Sequence, residues 1–251
     1  MTEEHLWAEW MHPYLPTLPD AQKEEVYRIA RNRRTVLTHN KIQQGQVYTK
    51  RLKVVCKKCN NTWMSGIEER VKPILIPLIQ GVPITLTEEY KVKLARWIVL
   101  KVMAAECENS SDAVLAQESR TEFMDTLVIP RGMKIWISNH DSESWYTGYW
   151  HQTLTATLTR RPPITGGHKN IQTTAFGVGH MFSLAFVTTL EGFDCEPNVE
   201  SLGIGRQLWP LRRRNIVRPL PILSESDVDR LATSIRELLA SPNVEWRPLP
   251  K

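Results

Sequence analysis

Cys56 and Cys59 stand three residues apart with Asn60 and Asn61 directly behind them, and Glu4-His5 stands near the start of the chain. Two thiols at Cys-x-x-Cys spacing can hold two corners of a zinc tetrahedron, and a structural zinc site takes four. Cys107 and Cys195 lie far along the chain, so the other half of such a site is not visible. A redox role fits the pair less well, because no βαβ pattern surrounds it. A neutral imidazole at His5, with an ordinary pKa of about 6.5, can accept a proton from water near neutral pH. Two simpler readings stand beside these. His5 can be an exposed histidine without a role, and Asn60 and Asn61 can be turn or N-cap residues after a knuckle.

Glu4-His5-Leu6-Trp7 and Cys56-Lys57-Lys58-Cys59-Asn60-Asn61-Thr62-Trp63-Met64 together resemble the His-Asn-His (HNH) endonuclease family, in its branch with a Glu-His element followed by Cys-x-x-Cys-Asn at a helix start. The resemblance covers about the first 70 residues. It implies a ββα-metal module in which a β-hairpin and a helix hold one divalent cation, Mg2+ or similar. By position it makes Glu4 a metal ligand, His5 the general base and Asn60 the ligand at the helix start, with Asn61 as the alternative. Cys56 and Cys59 become a Zn2+ half-site. The implied activity is metal-dependent hydrolysis of DNA phosphodiesters; the alternative is a non-catalytic nucleic-acid-binding or protein-interaction protein that retains a degenerate HNH fold. The chain departs from the pattern twice. The family's first Cys-x-x-Cys is missing ahead of Glu4, and Arg51, Leu52 and Lys53 occupy the neighbourhood of its middle Asn, leaving Asn40 as the nearest substitute. A start upstream of Met1, a decayed module, or ligands from another chain would each account for this.

Charge placement agrees with a polyanionic partner. Residues 1–80 carry 13 Lys/Arg and 8 Asp/Glu, while the remaining residues carry 19 of each. Val26 to Ile67 contains no acid. Arg33, Arg34, Lys50, Arg51, Lys53, Lys57 and Lys58 are therefore the expected phosphate contacts, which position a protein on nucleic acid without reading sequence. The hydrophobic and charged fractions, 41% and 24%, are those of an ordinary globular chain. The chain start lacks the pattern of a signal peptide, and the apolar stretch from Trp97 to Ala105 falls well short of the roughly 20 residues of a membrane span. A cytoplasmic location and no membrane partner are expected.

The elements that must position these residues follow from periodicity. The fold class expected is α+β: residues 1–75 as the HNH-like module, possessing its own short strands, and residues 82–251 as an α+β domain with an antiparallel sheet and flanking helices. That second domain would select a target, a protein partner or another copy of the chain. Helices are expected over Ala21–Asn32, from Thr62 to a stop before Pro73, after the cap Thr87, over Asp112–Asp125, and from a Ser226/Asp229 capping box through Leu239. Strands are expected at Thr35–Thr38, Gln46–Val55, Lys134–Ser138, Thr153–Thr159, Ile171–Val178 and Phe182–Thr189. Turns are expected at Asn40–Gly45, at Pro162–Gly167 and at Asn139–Ser144, the last holding His140. Trp7, Trp10 and Trp63 read as core, His151, His168 and His180 as incidental, and Arg212–Arg214 as a solvated run. Phe176-Gly177-Val178-Gly179-His180 reads as a bulge or a tight strand contact rather than a nucleotide loop.

Overall fold

The computed structural model describes residues 2–17, 22–31, 34–44, 46–107, 113–155, 169–190, 193–197, 199, 205–211, 219–233 and 245–248. It is an α+β fold. Strand β1 (Thr2–His5) pairs antiparallel with β4 (Arg51–Val55), and between them β2 (Gln22–Arg31) and β3 (Arg34–Gln44) form a separate antiparallel ribbon. The helix expected over Ala21–Asn32 is thus strand β2. Val26, Tyr27 and Ile29 favour the pleated backbone, and full-length pairing to β3 satisfies ladder groups that a three-residue helical stripe could not outweigh. Asn40–Gln44 belongs to β3 rather than to a turn, and Val47–Thr49 is a single 3-10 turn ahead of β4.

After β4 the chain enters one continuous helical run: α1 (Lys57–Cys59), a π-helical segment (Asn60–Met64) and α2 (Ser65–Ile79). The stop expected before Pro73 does not occur. Pro73 and Pro77 lie inside α2, each removing a backbone donor at a cost of about 3 kcal/mol. Val71, Ile74, Leu75, Leu78 and Ile79 are buried along the same helix. At about 1.5–3 kcal/mol each, their burial outweighs the two prolines. The helix ends at Gly81, with φ +70°, where Val82 N–H donates to Pro77 O and Gly81 N–H to Leu78 O, the paired bonds of a glycine C-cap.

Helix α3 (Glu88–Glu106) starts where Thr87 caps it, its hydroxyl accepting from Tyr90 N–H at 3.2 Å. It packs on α2, and both lie against one face of the main sheet. The sheet runs β10 (Arg206–Trp209), β5 (Met133–His140), β8 (Met181–Thr188), β7 (Ile171–Val178), β6 (Tyr149–Leu154), with short β11 (Ile222–Leu223) parallel to β5 on the same edge as β10. β7 and β8 are buried along their whole length because α5 (Glu225–Thr233) covers the other face. α4 (Gln117–Thr126) is shorter than the helix expected over Asp112–Asp125, and β9 (Phe193–Glu196) pairs with β12 (Glu245–Pro248). The alternating segment Thr153–Thr159 contributes only its first two residues to β6; residues 156–168, including the turn expected at Pro162–Gly167 and His168, lie outside the described residues. So do Arg212–Arg214 and the extension of the last helix beyond Thr233. The cap of α5 is Ser224 with Asp227, whose side chains and backbone N–H groups bond reciprocally, rather than Ser226 with Asp229.

One buried cluster joins Leu6, Trp7, Leu52, Met64 and Ile67 to Trp97, Ile135 and Phe176, so residues on both sides of the 80–87 link share a core. Trp7 is its pivot: the ring stacks on Phe176 (5.1 Å between centroids) and its N–H donates to Gly177 O at 3.2 Å. Gly177 is a tight strand contact, as expected. A Cβ there would lie 1.8 Å from Trp145 O. Among the described residues, no helix is long and apolar enough to cross a membrane.

Candidate functional site

Antiparallel register sets Glu4 opposite Leu52 and His5 opposite Arg51, with Thr2 opposite Val55. The strand that carries the Glu-His element therefore lies beside the strand that leads into the cysteine knuckle. Met64 and Ile67 of the helical run belong to the same buried cluster as Leu6 and Leu52. In chain order the unit is β1, β4 and then the helical run, with residues 6–50 between the two strands.

The His5 ring is held on both sides. Arg51 Nε–H donates to its Nε2 at 2.6 Å, so Nδ1 carries the proton and donates toward Glu9 Oε1 at 3.3 Å. His12 packs edge-on to the ring at 5.6 Å, and Tyr48 packs on His12 in turn. Burial lowers the His5 pKa below the ordinary value, the Arg51 charge lowers it further, and Glu9 opposes both. At pH 7 the imidazole is neutral with a fixed tautomer, the state a general base needs.

Cys56 is the N-cap of the helical run. Its sulfur accepts from Cys59 N–H at 3.2 Å and lies 3.0 Å from Cys59 Sγ, and both thiols are free. The side-chain hydrogen bond from Cys59, with backbone donors behind it, lowers the Cys56 pKa, while the same bond and partial burial raise that of Cys59. Of the two thiols, that of Cys56 is exposed and that of Cys59 half-buried. Asn60 and Asn61 open the π-helical segment. Asn60 N–H donates to Cys56 O at 3.0 Å. Such single-turn widenings recur at functional positions in helices. Among the described residues, no three His, Cys, Asp or Glu side chains converge on one point.

The expected phosphate contacts are dispersed. Lys57 and Lys58 are exposed on the first helical turn. Arg51 is exposed but engaged with His5 and Glu9, and Lys50 Nζ donates to Tyr149 Oη at 3.1 Å, tying the segment before β4 to the main sheet. Lys53 lies on β4 and Arg34 on β3; Arg33 lies outside the described residues.

Sequence reasoning passed over the groups that anchor this site. Glu68 and Lys101 form a buried ion pair at 2.8 Å between α2 and α3. Both carboxylate oxygens accept from indoles as well, from Trp10 at 2.6 Å and Trp97 at 3.2 Å. The space beside Lys101, lined by Trp97, Thr174, Phe176 and Ser183, is too small for a water molecule. The available signal was Lys101 itself, a cation at helical spacing within an otherwise apolar stripe. Two other histidines are not incidental to packing. His140, expected in a polar turn, ends β5 with its side chain buried, and burial lowers its pKa to about 4. His151 lies on β6 beside Thr174, and burial lowers its pKa to about 4 as well.

Comparison of the chain with protein-family models, curated proteins and solved structures finds no match.

Proposed function

We propose that the chain is an HNH-like nuclease that hydrolyses DNA phosphodiesters, with His5 as the general base. The observation that carries this reading is the placement of Glu4-His5 on a strand paired antiparallel to the one that runs directly into Cys56-x-x-Cys59-Asn60 at a helix start. The tautomer adds to it. Nδ1–H directed at Glu9 leaves Nε2 as the basic nitrogen, so Glu9 takes the orienting role that the family gives to its middle Asn. Arg51 occupies that nitrogen here. A phosphate bound at the strand pair would draw the guanidinium to itself, since charge-assisted bidentate bonds to phosphate exceed one to a neutral ring, and so release Nε2 to activate water.

Glu4 and Asn60, with Asn61 as alternative, are the residues assigned to a Mg2+-like cation, and Cys56 and Cys59 to Zn2+ with further ligands from elsewhere. When bound, the divalent cation would polarise the phosphate and stabilise the leaving oxygen. Lys57 and Lys58 on the first helical turn supply phosphate contacts next to it.

Nicking of supercoiled plasmid by the purified full chain with Mg2+ or Mn2+ tests the proposal. His5→Ala should cut the rate about 10²–10⁴-fold, the usual contribution of a positioned base. Equal, background-level nicking by wild type and His5→Ala, with DNA binding intact, would instead establish the non-catalytic binding protein.

A further inference from the structure

We infer that Cys56 and Cys59 are a redox-active site, which closes reversibly to a disulfide by exchange with small anionic disulfides. The two sulfurs lie 3.0 Å apart and both thiols are free. A disulfide bond is about 2.05 Å long, so closure asks for a shift of about 1 Å between the sulfurs. The cap position brings them together. Cys56 has extended backbone angles, φ −82° and ψ 153°, while the next residue already begins the helical run. Its side chain therefore turns over the first turn as an N-cap serine's does, and Sγ accepts from Cys59 N–H at 3.2 Å. Both sulfurs end on the same side of one turn, and α2 need not move for them to join.

Exposure sets the order of events. Cys56 is exposed and Cys59 half-buried, so an incoming disulfide R–S–S–R meets Cys56 first. The Cys56 thiolate attacks one sulfur, the R–S–S–R bond breaks and one RS⁻ leaves. The Cys59 thiolate then attacks Sγ of Cys56, which forms the protein disulfide and expels the second RS⁻. The pair loses two electrons and two protons, and the small disulfide gains both as two RSH.

Charge selects the reagent. Lys57 and Lys58 stand between the two cysteines and are exposed, and the run from Val26 to Ile67 contains no acid. Glutathione disulfide, which carries more carboxylates than amines, is drawn to such a position, whereas the dication cystamine is repelled. This site goes beyond the nuclease reading, since it needs neither His5 nor a divalent cation. Its oxidised form also withdraws both sulfurs from zinc.

The test equilibrates the full chain in glutathione buffers of graded disulfide-to-thiol ratio, then quenches with acid, alkylates and reads the peptide masses. The fraction with Cys56 bonded to Cys59 should rise with the ratio and return to zero in dithiothreitol. Cys59→Ser should stop at a mixed disulfide with glutathione on Cys56. Cys56→Ser should react at Cys59 at least about tenfold more slowly, because access governs exchange. Raising salt from about 0.02 to about 0.5 M should slow the reaction with glutathione disulfide several-fold and speed that with cystamine, since screening weakens attraction and repulsion alike. No Cys56–Cys59 disulfide at any ratio, whether the thiols stay free or hold zinc, would overturn the site. Equal rates in the two single variants would overturn the order of attack, and a salt response of one sign for both reagents would overturn selection by charge. Disulfide formation without plasmid nicking leaves this site standing and the nuclease failed; nicking without disulfide formation does the reverse.

Discussion

Lys101→Met tests whether the Glu68–Lys101 pair anchors the helix that carries the cysteine knuckle. The substitution removes the only cation within bonding distance of Glu68 among the described residues and leaves a buried carboxylate without it. Breaking a buried pair on one side costs about 3–5 kcal/mol, because the remaining charge is uncompensated. Here the Trp10 and Trp97 indoles still donate to Glu68, so the loss should fall at the lower end, about 3 kcal/mol. With a urea slope of about 2–3 kcal/mol per molar, the unfolding midpoint should drop by about 1–1.5 M. Glu68→Gln/Lys101→Met removes both charges while keeping the shapes, and should lose less than either single change, giving a coupling of about 2 kcal/mol in the double-mutant cycle. Urea unfolding followed by tryptophan fluorescence, with Trp10 and Trp97 beside the pair, reads all four proteins. A midpoint shift under about 0.3 M for Lys101→Met, or simple additivity in the cycle, would refute the claim that the pair is buried and coupled.

Three further outcomes follow from the geometry. Glu9→Gln removes the charge from the acceptor of His5 Nδ1–H; nicking should fall about tenfold or less, the low end for such outer partners. Because Glu9 raises the His5 pKa, the acid limb of the pH–rate profile should also move to lower pH. His140 binds its proton in the unfolded chain near pH 6.5 but in the folded chain only near pH 4, so the unfolded state holds more protons between those values. Stability should fall as pH drops through that window, by about 2 kcal/mol at pH 5 from this residue, and urea midpoints at pH 7 and pH 5 should differ less in His140→Gln. Gly177→Ala would place a methyl against Trp145 O; overpacking against backbone should cost about 3 kcal/mol or more, visible as a large drop in melting temperature.

What could be read from the chain depended on how local its cause was. Thr87 capping α3 and the knuckle at Cys56 both rest on interactions within a few residues, and each occurs where its pattern placed it. Pro73 misled because a local rule was outweighed by burial against α3, which lies across a turn. β2 misled because strand β3, not its own periodicity, decides its backbone. His140 looked like a turn residue because nothing nearby in sequence announces that Tyr146 and His180 close over it.

The candidate site divides in the same way. Residue types and spacing nominated His5 and the two cysteines, a thiol pair on one helical turn, while Glu4 and Asn60 came only from the resemblance to HNH endonucleases. Only the tertiary structure decided that His5 is neutral with its proton on Nδ1, that Glu9 and Arg51 hold it, and that Glu68 and Lys101 neutralise each other beneath the site. A charge takes its meaning from whatever lies within a few ångströms of it. Those neighbours come here from as far as 46 residues away for Arg51 and His5, a distance over which sequence pattern carries no information and packing carries all of it.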